Sequence, residues 1–475
     1  MARFDLVVTG GTVVIPFVGE LRADIGIREG RIAAISDSLG PGDADEAIDA
    51  SGKVVLPGAV DSHYHLGIYR DITTDTESET TSSLVGGVTS VISYFRTGSH
   101  YLNRTGPYRE IFPEVLERVD GHAKVDYAFH LAPMTAEHIT EIPWLVDEMG
   151  VSSFKYYMFY KGFDLAAASR DAKSYTMSEE YDLGHLFEIM EAVAEVDARH
   201  PGRISLSLHC EQAELLRVFI ERAKRDPSVS GLAEYSAGRP PLTERLSIEE
   251  AGVLADHTRA RVNFLHLSSA DALRTAVEVS QRYPHLEANL EVTVHHLALN
   301  HESLQGLGGK VNPPIRTAQD NEALWEGVRL GQVGTVVSDH ACCMEDAKGD
   351  DLWPALPGFG GTALLYPVLI SEGHHRRGLT LEHMTRLAAA NPARTFNLYP
   401  RKGTIAVGSD ADLTIVDPEW EQVVTPELCR SAQDHTPFNG VPLKGWPVAT
   451  LVRGIPMLRD GEVGKDFPGR YVKRA

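Results

Sequence analysis

Apolar and polar positions along the chain follow two different periods. Over residues 4–38, short β-branched runs at 4–8, 12–15, 25–27 and 32–35 are separated by Gly10-Gly11 and Glu29-Gly30. This texture predicts a small antiparallel sheet. It returns at 403–405, 412–416 and 449–454, with Asp460-Gly461 as a hairpin turn, so both ends of the chain are expected to build one module. Between them, apolar strands at 88–94, 152–157, 204–209, 262–266 and 335–337 alternate with helical patterns at 177–196, 211–224, 248–255, 270–281 and 321–330. Strand–helix alternation of this length implies parallel strands. The expected fold is α/β: a (β/α)8 TIM barrel over 57–395, with a β-sandwich assembled from 1–56 and 396–475. An open doubly wound sheet is the rival arrangement.

Composition narrows the partners. The 475 residues suit a large barrel with a smaller module, and 43% hydrophobic with 23% charged residues is ordinary for a globular protein. No apolar run approaches the length that spans a bilayer, and Asp5 and Gly10 interrupt the start where a secretory signal would stay apolar. A net charge of −21 repels polyanions, so neither nucleic acid nor an anionic membrane is an expected partner. Four irregularly spaced cysteines form neither a disulfide framework nor a thiolate zinc site, which points to a reducing cytoplasm.

Candidate chemistry sits where strands end. An apolar run through Val60-Asp61 leads into His63 and His65, which share a strand face and can converge on one ion; two hydrogen-bonded histidines would read the same way locally. Three later strands end in His209, His266 and Asp339-His340. In a parallel barrel such ends gather at one rim, where sites of this architecture lie, and the repetition favours a metal site. Lys155 interrupts another apolar strand, where a snorkelling side chain is the ordinary expectation.

The segment Val151-Ser152-Ser153-Phe154-Lys155-Tyr156-Tyr157-Met158-Phe159-Tyr160-Lys161-Gly162 resembles the carboxylated-lysine segment of hydantoinases and dihydropyrimidinases in the amidohydrolase superfamily. Further family-like stretches follow the same order: Val60-Asp61-Ser62-His63-Tyr64-His65, Gly86-Gly87-Val88-Thr89, Arg239-Pro240-Pro241 with Glu244, Asn391-Pro392-Ala393, and 399–412. The resemblance implies two divalent ions, zinc first, with manganese, cobalt or iron as alternatives. His63, His65 and Asp339 would hold one, His209 and His266 the other, and Lys155, as N6-carboxylysine, would bridge them. It implies hydrolysis of a cyclic amide, ureide or imide by a metal-bridging hydroxide, with Asp339 moving the proton and Tyr160 stabilising the oxyanion. It also implies a homotetramer or homodimer, to which residues 469–474 are expected to contribute by reaching a neighbour.

Ring identity is less legible. Residues 291–297 and 310–316 resemble dihydroorotases, yet Leu66-Gly67 stand where those enzymes carry a carboxylate-binding arginine, leaving Arg70 displaced as a surface charge. The glycine-rich stretch 357–362 is similar to allantoinases and makes Gly361 a substrate-contact candidate. Asn312 is another, with a turn role before its two prolines as the alternative. A non-catalytic dihydropyrimidinase-related assembly protein would lack metal ligands, and here every ligand position is filled.

Overall fold

The structure, a computed structural model, describes residues 3–160 and 181–475. The start of the helix expected at 177–196, and Lys161-Gly162 of the lysine segment, lie outside those residues. Eight parallel strands form the barrel: β1 (Ala59–Tyr64), β2 (Val88–Phe95), β3 (Asp126–Leu131), β4 (Ser153–Tyr157), β5 (Ser205–His209), β6 (Val262–Phe264), β7 (Asn289–Thr293) and β8 (Thr335–Val337). Each neighbours the next in chain order. The ring is drawn shut by a parallel bridge between Tyr64 and His340, with the His65 N–H donating to the His340 carbonyl at 2.9 Å. This closure excludes the open sheet.

Strand composition explains the packing. All eight residues of β2 are buried, because helices cover the outer face while side chains fill the interior, so these strands read as apolar runs rather than alternations. The covering helices do show a helical period. In Ala270–Arg282 the buried positions are Ala272, Leu273, Thr275, Ala276 and Val279, and the Ser269 hydroxyl caps the first turn by accepting from the Ala272 N–H. Among the described residues, no helix is long and apolar enough to cross a membrane.

The smaller module is the expected sandwich of two sheets, between which the strands of residues 4–38 divide instead of forming one antiparallel sheet. Phe4–Thr9, Asp24–Arg28, Arg31–Ser36 and Ala44–Asp49 form a four-stranded sheet in which Phe4–Thr9 runs parallel to Ala44–Asp49. Thr12–Ile15 instead joins a seven-stranded sheet, where Val54–Pro57 lies between it and Leu413–Val423; Val55 faces Val13 on one side and Ile415 on the other. Leu6, Val8, Ile25 and Ile27 pack with Val13, Val55, Ile415 and Leu451 between the sheets.

Residues 403–405 form no strand, contrary to their β-branched look. Gly403 takes φ +77° and passes so close to the Ala389 carbonyl that a Cβ would collide with it, while Lys402 beside it is buried among carboxylates. Its Nζ lies 2.7 Å from Asp126, 2.5 Å from Asp412 and 3.1 Å from Asp410, and Arg453 also reaches Asp126. Asp126 opens β3, so this cluster ties the smaller module to the barrel floor, away from the rim where strands end. Residues 469–474 pack along the floor of their own barrel. Tyr471 bridges to Tyr127, and the Arg474 side chain enters the same floor.

Candidate metal centre

The strand ends carry the expected residues to one place. His63, His65, Lys155, His209, His266 and Asp339 all line a single cavity at the C-terminal rim of the barrel. His63 Nε2 and His65 Nε2 lie 3.1 and 3.2 Å from the same Asp339 oxygen. His209 Nδ1 faces His266 Nε2 at 2.9 Å. His266 and Asp339 sit at φ +34° and +50°, strained left-handed backbone that turns each side chain inward as its strand ends. His340, one residue on, points the other way: Glu79 lies 2.8 Å from its Nε2, and its Nδ1 accepts from the Gly361 N–H.

Carboxylates orient the rings from behind. His63 Nδ1 lies 2.7 Å from Glu291, whose carboxyl burial pushes up to about 8, and His209 Nε2 donates to Glu211 at 2.7 Å, which Arg239 grips with two guanidinium nitrogens. Burial opens the Glu211 carboxyl to protonation, but Arg239 and His209 overcome it and hold the group at about 2. Such second contacts fix which ring nitrogen offers its lone pair. Glu211→Ala is expected to weaken metal binding about 10–100-fold, read by chelator competition on metal-free protein.

The donors fit divalent cations. His63 Nε2 and His65 Nε2 meet on one Asp339 oxygen, and two neutral imidazoles with a carboxylate are donor types that a divalent cation takes. His209 Nδ1 and His266 Nε2 are hydrogen-bonded at 2.9 Å, and the buried His266 Nδ1 has no partner. Burial holds His63, His65 and His209 at about 4, so the rings are neutral near pH 7. Burial would raise Asp339, but His63 and His65 hold it well below the usual carboxylate range. Two other acidic clusters carry their own cations: Arg70 lies beside Asp75 and Glu79, and Lys402 within Asp126, Asp410 and Asp412. Lys155 is buried over the Tyr94 ring at 4.3 Å, and burial brings its ammonium down to about 7 against the pull of Asp339 and Glu291. Much of it is therefore neutral amine at physiological pH.

Residues 176–457 match the Amidohydrolase family. The chain is 31% identical to a D-hydantoinase of Geobacillus stearothermophilus, with 95% of this chain and 93% of that protein covered. The chain belongs to the amidohydrolase family. It is equally 31% identical to an allantoinase of Rubrobacter xylanophilus, covering 100% of this amidohydrolase and 98% of the relative. Among solved structures, the L-hydantoinase (dihydropyrimidinase) from Arthrobacter aurescens superposes with a TM-score of 0.87 at 29% identity, over 99% of this chain and 100% of that one.

Around the centre of this amidohydrolase, the other candidates divide. Tyr160 lines the cavity, stacked on Tyr157 with ring centroids 4.7 Å apart. Asn312 lines it too, its Oδ1 accepting from Tyr235 at 2.6 Å. Gly361 does not: its N–H is spent on His340, and an added Cβ would press on the Ser338 carbonyl. Arg70 is no surface charge, since Asp75 and Glu79 hold its half-buried guanidinium. His295 and His296 are buried, and His296 is fastened to the Thr293 hydroxyl. Cys342 and Cys343 are buried outside the lining. Glu211, Glu291 and Tyr101, whose hydroxyl lies 2.9 Å from His65 Nδ1, were not singled out as site residues from the sequence. The spacing His209-x-Glu211 was the one available signal for the first.

Proposed function

We propose that this amidohydrolase opens a cyclic amide, ureide or imide ring by hydrolysing its C–N bond. The observation that carries the reading is the convergence of four histidines, one aspartate and a buried lysine whose ammonium is brought down to about 7 at one barrel rim. His63, His65 and Asp339 would hold one divalent cation and His209 and His266 a second. Lys155, carboxylated by carbon dioxide, would join the two. Nitrogen and oxygen donors suit zinc, with manganese, cobalt or iron as alternatives. When bound, such a pair supplies water ionised near neutral pH and polarises the amide carbonyl.

The chain's own residues do the rest. Asp339, kept ionised by its histidine neighbours, is placed to accept a proton from water and return it to the departing ring nitrogen. Tyr160, at the cavity wall, is placed to donate to the carbonyl oxygen as it gains charge. Tyr160→Phe is expected to lower kcat on the order of 10²-fold with metal content unchanged; equal kinetics would reduce Tyr160 to packing. Ring identity is decided by assaying hydantoins, dihydrouracil, allantoin, dihydroorotate and cyclic imides with metal analysis of the same sample. Opening of none of them by metal-replete protein would overturn the reading. Dihydroorotate is disfavoured, because Arg70 is committed to carboxylates and lies outside the cavity lining.

Two further features belong to this reading. A homotetramer or homodimer is proposed, checked by sedimentation. The four free, buried cysteines are consistent with a reducing cytoplasm.

A further inference from the structure

Residues 352–358 bring apolar groups to the cavity that holds the metal-ligand candidates: Trp353, Ala355, Leu356 and Pro357 all line it. The segment forms neither strand nor helix. Pro354 and Pro357 have no N–H to give, so no regular backbone ladder closes here and the carbonyls need donors from elsewhere.

Six of the seven carbonyls accept from side chains. Lys310 Nζ donates to those of Leu352, Trp353 and Ala355 at 2.8, 3.0 and 2.5 Å. Lys348 Nζ donates to Leu356 and Gly358 at 3.1 and 2.7 Å, and to the carbonyl of Lys310 itself at 3.2 Å. The Tyr69 hydroxyl donates to Pro357 at 2.7 Å. Both lysines are buried, and among the described residues neither makes an ion pair. Burial lowers both amines from their usual range, and Lys348 lowers Lys310 further. The carbonyls act the other way. Three acceptors around each nitrogen match the three hydrogens of an ammonium, whereas a neutral amine would turn its lone pair on one of them. The Lys310 nitrogen also lies 4.6 Å from the Tyr235 ring, whose hydroxyl donates to Asn312, so it meets a second part of the lining.

We propose that Lys310 and Lys348 are positioning residues that set which ring substituents the cavity accepts: they hold residues 352–358 in place, and that wall meets what the substrate carries beside its scissile amide. The wall is apolar, so the substituent it fits is apolar, an aryl or branched alkyl group. Lys348 does not itself line the cavity, so its effect passes through the wall. The substrate half of this rests on the proposed function; the hold on residues 352–358 does not.

The test joins hydrogen exchange to kinetics in the full, metal-loaded chain. Lys348→Met keeps the reach of the side chain and removes its donors, while Lys348→Gln keeps two N–H groups. In the folded protein the Ala355 and Gly358 amides donate to the Asp351 and Lys310 carbonyls. Their exchange, read by mass spectrometry on the peptide 351–360, is expected to quicken about tenfold in Lys348→Met and Lys310→Met, and less in Lys348→Gln. In Lys348→Met, KM for 5-benzylhydantoin should rise about tenfold while KM for unsubstituted hydantoin, kcat for both rings and metal content stay within about twofold. Should Lys348→Met not fold, Lys348→Gln is read in the same two ways. Unchanged exchange, or KM values that move together for the two rings, overturns the proposal. If wild type opens neither ring, the functional reading fails, and quickened exchange still upholds the hold on residues 352–358 while unchanged exchange overturns it.

Discussion

Lys155→Ala is expected to lower turnover on the order of 10³-fold, ~4 kcal/mol of transition-state stabilisation, and to yield protein short of metal. The substitution removes the one side chain placed to become an anion between the two sets of donors. An ammonium could not serve, because it would repel the cations it is meant to join; a carbamate can, and it needs a neutral amine. Burial provides that amine by bringing Lys155 down to about 7. Reconstitution of metal-free wild type should therefore depend on bicarbonate and quicken as pH rises through about 7, where the amine fraction grows. Metal-to-chain ratios from elemental analysis, measured beside turnover, check both effects. Full metal occupancy with normal turnover in Lys155→Ala, or bicarbonate-independent reconstitution, would remove the carbamate from the scheme.

Asp339→Asn is expected to cost still more, on the order of 10⁴-fold in kcat, with KM changed only a few-fold. The isosteric amide keeps an oxygen toward His63 and His65 but takes no proton at neutral pH. The backbone at φ +50° favours neither residue type strongly, because asparagine also tolerates the left-handed region, so the fold should survive. Thermal unfolding with metal analysis separates loss of proton transfer from loss of the ion. A variant within tenfold of wild type while fully loaded would move the proton-transfer role to another group.

The barrel and the cluster at its rim were legible because several strands are largely apolar and a histidine, lysine or aspartate interrupts or ends each of them. His209 and His266 terminate or follow strands whose preceding residues have no other reason to stop being apolar. Other elements hid for a physical reason. The helix Ile72–Val85 buries Asp75, Thr76, Glu79, Thr80, Ser82 and Ser83, satisfying them with Arg70, His340 and backbone carbonyls, so no hydrophobic period marks it. Strand β3 carries Asp126 and His130 inside the barrel, where they meet Lys402 and Ser62, and its mixed lettering conceals complete burial. Glu211 and Glu291 act by touching ligands rather than by spacing, and only coordinates bring Arg239 beside Glu211. Gly361 resembled a pocket residue through its neighbours in the sequence, whereas its N–H is bound to His340 away from the cavity.

Leu413–Val423 pairs with Val54–Pro57, bringing together residues such as Val55 and Ile415 from opposite ends of the chain. On a ribosome adding ~5–20 residues per second, Val54–Pro57 emerges roughly 18–72 s before its partner exists. During that interval an apolar edge, Val54 through Leu56, is bare and competent to pair with any passing strand. Nascent-chain handling is thus a step at which this protein is exposed to loss, and slowing translation after residue 60 should worsen its yield.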